Sequence, residues 1–215
     1  MAQEGRGAME TNATLADLNL IADNVCVDFV NTVERGVRYQ HQDWIGSYDA
    51  FLLWSRKAGL IDSDEFTCLK TQSSANRRKA SRVFEKVLRL RALLRGIFAA
   101  ISSGSTISTT TIKELNEFLT EAHLARKLEW VDQRAVWRWR ADSVAMERPL
   151  WTLVMAAADL LTGGNVECVR KCANPQCSWM FVDTSKNKRR RWCEMEVCGN
   201  QAKARGHYAR YRAGA

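Results

Sequence analysis

The sequence predicts an α+β protein, with a mostly helical N-terminal body that includes one β-hairpin and a small C-terminal four-cysteine module. Three observations support this class: apolar residues recur at helical spacing before residue 165, a stretch near residue 130 alternates like a strand, and four paired cysteines follow. The 215 residues suffice for one good core and a small appendage. We expect residues 1–14 to be disordered, residues 15–165 to form the body and residues 166–215 to form the module.

Apolar spacing and capping residues predict the first three long helices of the body. Ser47 is expected to cap a helix that ends at Gly59, and Asp62 with Glu65 has the spacing of a capping box for the next one. The third helix is marked by an apolar stripe of Val83, Val87, Leu90, Leu94, Ile97 and Ile101.

Two further helices are predicted on either side of a strand-like segment. Thr111 with Glu114 is expected to cap the fourth helix, and Pro149 suits the first turn of the fifth, which ends at Gly163. Between them, residues 127–140 alternate apolar and polar side chains around a turn, which predicts a β-hairpin.

The predicted hairpin contains three tryptophans, Trp130, Trp137 and Trp139. Such large aromatic side chains are usually buried, so we expect them to pack against the helices. A small-molecule pocket lined by them is the alternative.

Residues 15–33 form an apolar stretch whose periodicity fits a strand or a short helix equally well. Within it, Asp28, Asn31 and Thr32 are expected to bond neighbouring backbone and to fix the turn that follows. The alternative is that Asp28 and Asn31 contact a ligand, in a pocket shared with the three tryptophans.

Four cysteines near the C-terminal end form two pairs, Cys172/Cys177 and Cys193/Cys198. Four thiolates in a tetrahedron make a closed structural zinc site, so we expect these side chains to hold one Zn²⁺ ion. Seven cysteines is an odd count and nothing indicates secretion, which argues against disulfides. Cys168 is a fifth candidate ligand, but the symmetry of the two pairs favours Cys172. The module has few apolar residues, so zinc would supply much of its stability.

Two strings resemble a known family. The string RRWCEMEVCGNQAKARGHYAR, at residues 190–210, is similar to the zinc finger of the bacterial CGNR family. The string NVCVDFVNTVE, at residues 24–34, resembles the opening of the ABATE domain, which precedes that finger in stress-induced transcription regulators. The resemblance implies a DNA-binding finger, formed by a hairpin followed by a basic helix, and an N-terminal domain for effector sensing or dimerisation. One position departs from the family: Gln201 stands where the name-giving arginine follows Cys-Gly-Asn, and Lys203 or Arg205 would have to replace its contact.

The excess positive charge is confined to the module. The chain has 32 Lys and Arg residues against 24 Asp and Glu residues, a net charge of +8. Residues 170–215 contain eleven of the basic and three of the acidic residues, which leaves 21 of each for residues 1–169. A charge concentrated beside an ordered site is typical of a protein that binds a polyanion.

We therefore expect the module to bind DNA, with RNA or a protein partner as the alternative. Gly199 and Asn200 are expected to begin a helix whose N–H groups bind an anion, and Gln201 has the chemistry to contact adenine. The predicted contact residues lie in the loop before Cys193 and on this helix: Lys186, Lys188, Arg189, Arg190, Arg191, Asn200, Gln201, Lys203, Arg205, His207, Arg210 and Arg212.

The sequence contains no P-loop, GxGxxG, GxSxG or HExxH motif, and its three histidines are scattered. We therefore predict that the protein is not an enzyme, and an enzyme with a pocket in the body is the weaker alternative. The absence of a signal peptide or an apolar spanning segment predicts a cytoplasmic protein without a membrane partner. A homodimer and a small-molecule effector would both suit a regulator.

Overall fold

The computed structural model describes residues 15–33, 42–140 and 145–213, so the expected disorder of residues 1–14 lies outside the described residues. The helices in these ranges are α1 (Val25–Val30), α2 (Tyr48–Lys57), α3 (Ser63–Ala75), α4 (Arg77–Ser103), α5 (Thr109–Leu124), α6 (Arg148–Thr162) and α7 (Asn200–Ala213). The strands form two antiparallel hairpins, β1 (Arg126–Val131) with β2 (Arg134–Trp139) and β3 (Val169–Lys171) with β4 (Met180–Val182). The predicted α+β class, with a mostly helical body, is therefore confirmed.

Side-chain caps decide where the helices of the body begin. Ser47 accepts a hydrogen bond from a backbone N–H in the first turn of α2, and Asp62 and Glu65 form the predicted capping box of α3. The predicted cap of α5 is wrong by three residues, because Ser108 occupies the N-cap and its Oγ accepts the N–H of Thr111 at 3.1 Å. Helix α5 is therefore capped by a hydroxyl side chain as predicted, but by that of Ser108 and not that of Thr111.

Helix α4 is the central element of the body. Its predicted stripe is buried as far as Ile97, and it contacts α1, α2, α3, α5 and β3. The helix ends at Gly104, whose φ of 69° is the left-handed conformation that glycine adopts without strain. The face of α4 turned away from the core is charged. Among all helices in the described ranges, none is long and apolar enough to cross a membrane.

The ambiguous stretch before residue 33 is helical where it enters the core. Asn24 caps α1 through its Oδ1 atom, which accepts the N–H of Cys26 at 3.0 Å. Helix α1 contacts α4, α6 and β4, and its residues from Cys26 to Val30 are buried. The segment therefore lies between the body and the C-terminal hairpin.

The β3–β4 hairpin belongs to the same hydrophobic core as the body. Val169, Phe181 and Val182 are buried, with β3 against α4 and β4 against α1. A 3-10 turn at Val166–Cys168 precedes β3, which begins at Val169. Helices α1 and α4 contribute the larger part of the contact between the body and this hairpin.

The expected burial of the hairpin tryptophans is wrong for two of them. Trp130 and Trp137 are 76% and 55% exposed, and Trp139 is half-buried, stacked on Trp151 of α6 with ring centroids 5.9 Å apart. The turn at Asp132 and Gln133 forms as predicted, but the hairpin is packed only near its base. Alternation reveals which side chains share a face and not whether another element covers that face.

Candidate metal centre and nucleic-acid interface

Four buried thiols meet where the two cysteine pairs come together. The Sγ atoms of Cys172, Cys177, Cys193 and Cys198 lie within 4.8 Å of one another. The Sγ atom of Cys193 is 3.7 Å from that of Cys177 and 3.6 Å from that of Cys198. Four sulfurs at the usual Zn–S bond length would stand about 3.8 Å apart at the corners of a tetrahedron. The cluster therefore has the size and the donor set of a closed four-thiolate metal site.

The first pair is positioned by a turn after β3. The N–H of Cys172 donates to the carbonyl of Trp179 at 2.9 Å, and the N–H of Cys177 donates to the carbonyl of Asn174 at 2.9 Å. Asn174 is buried, and its Oδ1 atom also accepts the N–H of Gln176 at 3.1 Å. The turn at Asn174 thus fixes the separation of the Cys172 and Cys177 sulfurs.

The second pair is positioned by a loop end and a π-helical turn. Cys193 follows the loop, and Cys198 lies in the turn Met195–Gly199. A Cβ atom at Gly199 would overlap Met195 Sδ and lie 3.2 Å from Trp192, so a larger residue here would have to displace the Met195 side chain. Cys168, the fifth candidate, is buried outside the cluster, and its carbonyl accepts the N–H of Asp183 at 2.8 Å.

The crowding of the thiols shifts their pKa values in opposite directions. Hydrogen bonds from Cys177 and Cys193 lower the pKa of Cys172, whereas those same bonds and burial raise the pKa of Cys177 and of Cys193. Burial raises the pKa of Cys198. Because metal ligands must be deprotonated, a divalent cation bound by the four sulfurs would displace their protons.

The basic loop before Cys193 is ordered by a buried carboxylate, Asp183. Its two oxygens accept the N–H of Ser185 and the N–H of Arg190, each at 3.0 Å, and its carbonyl accepts from Lys188 Nζ at 2.9 Å. These bonds leave Lys186, Arg189 and Arg191 exposed at the surface. Nothing in the local pattern pointed to this role of Asp183.

Arg190 does not share the role predicted for its neighbours. Its guanidinium pairs with Asp23, donates to the carbonyl of Ile21 at 2.9 Å and lies 4.4 Å above the ring of Phe181. These contacts bind the loop to the segment before α1. Because its donors are used within the protein, Arg190 is not among the residues that we propose to contact nucleic acid.

The predicted anion site at the start of α7 is also wrong. The N–H of Gly199 donates to the carbonyl of Glu194 at 3.1 Å, and that of Asn200 donates to the carbonyls of Met195 and Val197. The π-helical turn runs directly into α7 and uses these donors. A helix whose first N–H groups are bonded in this way offers no anion cradle.

Two side chains of α7 hold the helix against the turn of the first cysteine pair. Gln201 Oε1 accepts from Asn174 Nδ2 at 3.2 Å. Arg205 donates to Gln176 Oε1 at 3.1 Å and to Asn174 Oδ1 at 2.9 Å. Gln201 and Arg205 are thus structural contacts here, and the expected contact of Gln201 with adenine has no support in the geometry. Asn174 is thus hydrogen-bonded to both Gln201 and Arg205, a role that the sequence did not suggest.

The basic side chains that remain exposed lie on the loop and on α7. Two of them, Lys188 and Arg205, make the hydrogen bonds described above. We call the others the basic surface: Lys186, Arg189, Arg191, Lys203, His207 and Arg212. The backbone of Arg210 belongs to α7, and its side chain lies outside the described residues. A cleft of about 560 Å³ adjoins the loop and is lined by Ile21 and residues 189–195.

Asn31 connects the module to the body, and Asp28 bonds the segment before α1. Asn31 Nδ2 donates to the carbonyl of Met180 at 2.8 Å, and Asn31 Oδ1 accepts the N–H of the same residue at 2.9 Å. Asp28 Oδ1 accepts the N–H groups of Ile21 and Ala22 at 2.9 and 3.0 Å. The expected backbone bonding occurs, but its partners lie outside the following turn, and Asn31 reaches across the fold. The structure does not gather these two residues and the tryptophans into one pocket.

Comparison with known proteins agrees with this division of the chain. A family model for the CGNR zinc finger matches residues 169–211, and a model named ABATE, described as "Putative stress-induced transcription regulator", matches residues 23–164. No curated protein matches the chain. Because the ABATE model alone covers well over half of the 215 residues, the chain belongs to the ABATE family and carries a CGNR zinc finger after that domain.

Proposed function

We propose that the protein is a transcription regulator whose finger, stabilised by one structural Zn²⁺ ion, contacts DNA. The observation that supports it is the basic surface, which lies on the two segments that flank Cys193 and Cys198. Zinc held by four thiolates would cross-link the two cysteine pairs and hold these segments together. A site closed by four protein ligands leaves no position for a reactive water, so a metal at this site would serve structure and not catalysis.

The basic surface suits the phosphate backbone of a nucleic acid. Arg189 and Arg191 project from a loop that Asp183 orders, so their binding costs less conformational entropy than that of a mobile tail. Lys203, His207 and Arg212 continue the charge along α7. Contacts of this kind position a protein on DNA without reading its sequence.

The DNA contact is tested by removing two exposed charges together, Arg189→Ala with Arg191→Ala. We expect weaker binding to every duplex sequence and a log–log salt slope that is flatter by about 0.9 for each lost phosphate contact. Arg78→Ala with Arg82→Ala, which removes two exposed arginines from α4, is the matched control and should leave affinity and slope unchanged. Filter binding or fluorescence anisotropy over a salt series measures both quantities. Equal affinity and equal slope for the parent and the Arg189/Arg191 variant would contradict the proposal.

The metal is tested on the purified full chain by elemental analysis. We expect one zinc per chain, and replacement by cobalt should give the intense thiolate-to-metal absorption and visible bands of a tetrahedral site. Affinity should fall as the pH is lowered, because protons compete for the thiolates. Iron as the bound metal, or full zinc retention in Cys193→Ser, would refute this assignment.

RNA is the second candidate ligand, because the basic surface does not distinguish the two polyanions. Competition between duplex DNA and single-stranded RNA of equal length decides between them, and preference for RNA would replace DNA in the proposal. An effector-sensing role for the body, a homodimer and a cytoplasmic location belong to the same proposal. For an effector, the cleft between Ile21 and residues 189–195 is a better location than the exposed tryptophans.

A further inference from the structure

The β1–β2 hairpin exposes an apolar face to solvent. Its register places Leu128 opposite Trp137 and Trp130 opposite Ala135. Because side chains alternate between the two faces of a strand, these four residues share one face. Leu128, Trp130 and Trp137 are 57%, 76% and 55% exposed, and we call these three residues the tryptophan face.

The hairpin is anchored at its base and uncovered beyond it. Trp139 stacks on Trp151 of α6, and the N–H of Arg140 donates to the carbonyl of Ala125 at 3.0 Å to close the base. In the described parts of the chain, neither strand pairs with a third. An isolated two-stranded hairpin is marginally stable in water, so a partner on its apolar face would stabilise it.

The tryptophan face is large for a surface feature of one chain. A tryptophan offers about 150–250 Å², so the exposed parts of the three side chains leave on the order of 400 Å² of mostly apolar surface uncovered. That is the size of the largest apolar patch on a typical monomer, and such patches are often functional. A two-fold contact would bury the patch twice, about 800 Å² in all, and flanking residues would bring the total near the roughly 1,200 Å² of a small stable interface.

Most charged side chains of the hairpin lie off the tryptophan face. Glu129 points to the opposite face, where it pairs with Lys127 at 3.0 Å and with Arg138 at 4.0 Å. On the apolar side the one charged residue of the two strands is Arg126, and its guanidinium lies 3.9 Å above the ring of Trp137. The face itself is thus apolar apart from one cation held over an indole ring, and it matches a second apolar face.

We propose that the tryptophan face is the contact between two copies of this chain. In an isologous two-fold contact the same patch faces itself, so the Trp130 side chains of both copies are buried by one interface. Trp130 extends furthest from its own chain and would be the central anchor, as tryptophans often are in interfaces. The inference rests on the proposed function in that it specifies the homodimer, but its test is separate, since dimerisation is measured without nucleic acid.

The test is the mass of the full zinc-loaded chain over a concentration series, by sedimentation velocity or light scattering. The parent should be a dimer, and Trp130→Lys should be a monomer, with a dissociation constant raised by about a thousand-fold because both copies lose the anchor. Leu53→Lys, at a 43% exposed apolar residue of α2, is the matched control and should remain a dimer. Circular dichroism and zinc content should not change in either variant.

Three outcomes would overturn the proposal. A parent that is monomeric at its highest soluble concentration excludes the dimer, and a dimer that survives Trp130→Lys places the contact elsewhere. The third is a monomeric parent that binds phosphatidylserine vesicles with a blue shift of tryptophan fluorescence that Trp130→Lys removes, because the face would then contact a membrane surface. Loss of the dimer in Trp130→Lys without loss of zinc would support the proposal whether or not DNA binding is found.

Discussion

At the scale of single residues, Asp28 shows how a carboxylate can be buried and still satisfied. It is 8% exposed, and one of its oxygens accepts both N–H groups described above. Burial raises the pKa of Asp28 to about 6, although the backbone bonds from Ala22 and Ile21 lower it. Its charged form is therefore less stable in the folded protein than in the unfolded chain.

Asp28 should make the stability of the protein fall as the pH rises from about 4 to about 6. A carboxyl group whose pKa is raised by folding contributes its stabilisation below the unfolded pKa and loses it as the pH passes the folded pKa. The shift of about two pKa units is worth on the order of 3 kcal/mol. Asp28→Asn keeps the accepting oxygen and should remove this dependence, measured as the free energy of unfolding in urea at several pH values.

Asp49 is a suitable control, because its pKa is lowered in the folded protein whereas that of Asp28 is raised. It is partly buried, which raises its pKa, but hydrogen bonds from Lys70, Ser73 and Arg77 hold that pKa at about 2. Asp49→Asn should therefore change the pH dependence only below about pH 4, where the parent loses this contribution. A difference between the parent and Asp28→Asn confined to that acidic range would contradict the assignment to Asp28.

At the scale of elements, Asn31 at the end of α1 forms a two-bond bridge to the middle of the C-terminal hairpin. Both polar atoms of its side chain bond the backbone of Met180, and all of these groups are buried. The N–H of Val182 donates to the carbonyl of Ala22 at 2.8 Å, so the chain before α1 also bonds β4. The contact between body and finger is thus polar as well as apolar.

Asn31→Ala should cost about 2–6 kcal/mol of unfolding free energy. It leaves a buried N–H and a buried carbonyl of Met180 without partners, at about 1–3 kcal/mol each. Asn116→Ala, at an exposed position of α5, should change the stability far less. Urea unfolding gives the free energy, and faster hydrogen exchange of β4 amides would locate the effect. Loss below about 0.5 kcal/mol would mean that water or a shift of β4 replaces both bonds.

At the scale of the whole molecule, body and finger share one hydrophobic core. Phe181 of β4 is fully buried in the cluster that also contains Phe29 and Leu90. Arg190 adds its bonds to Asp23 and Ile21 across the same boundary. The finger is therefore not held together by zinc alone. Loss of the metal should also lower the stability of the body.

Cys193→Ser should lower the melting temperature of the whole chain in a single transition. The shift should be on the order of 10 °C, because the lost metal binding is worth several kcal/mol and each kcal/mol shifts the midpoint by roughly 2–4 °C in a protein of this size. Cys68→Ser, at an exposed cysteine, is the control and should leave zinc and melting unchanged. Calorimetry that shows an early transition of the finger and an unchanged later one would mean that the two parts unfold independently.

The sequence alone determined the long helices of the body, the caps of α2 and α3, the β1–β2 turn, the two cysteine pairs and the position of the excess charge. These features depend on neighbours within a few residues, or on counts, so no tertiary information is needed to read them. The pairing of Cys172, Cys177, Cys193 and Cys198 in one cluster was predictable for the same reason, because metal-ligand spacing is a local pattern.

Only the tertiary structure decided which basic and aromatic side chains remain at the surface. Arg190 and Arg189 are adjacent in sequence, yet Arg190 pairs with Asp23, 167 residues away, while Arg189 is exposed. Trp130 and Trp139 share a face of one hairpin, but α6 covers only the base where Trp139 lies. In each case the outcome depends on a partner that is distant in sequence, and a one-dimensional pattern contains no record of which distant surfaces meet.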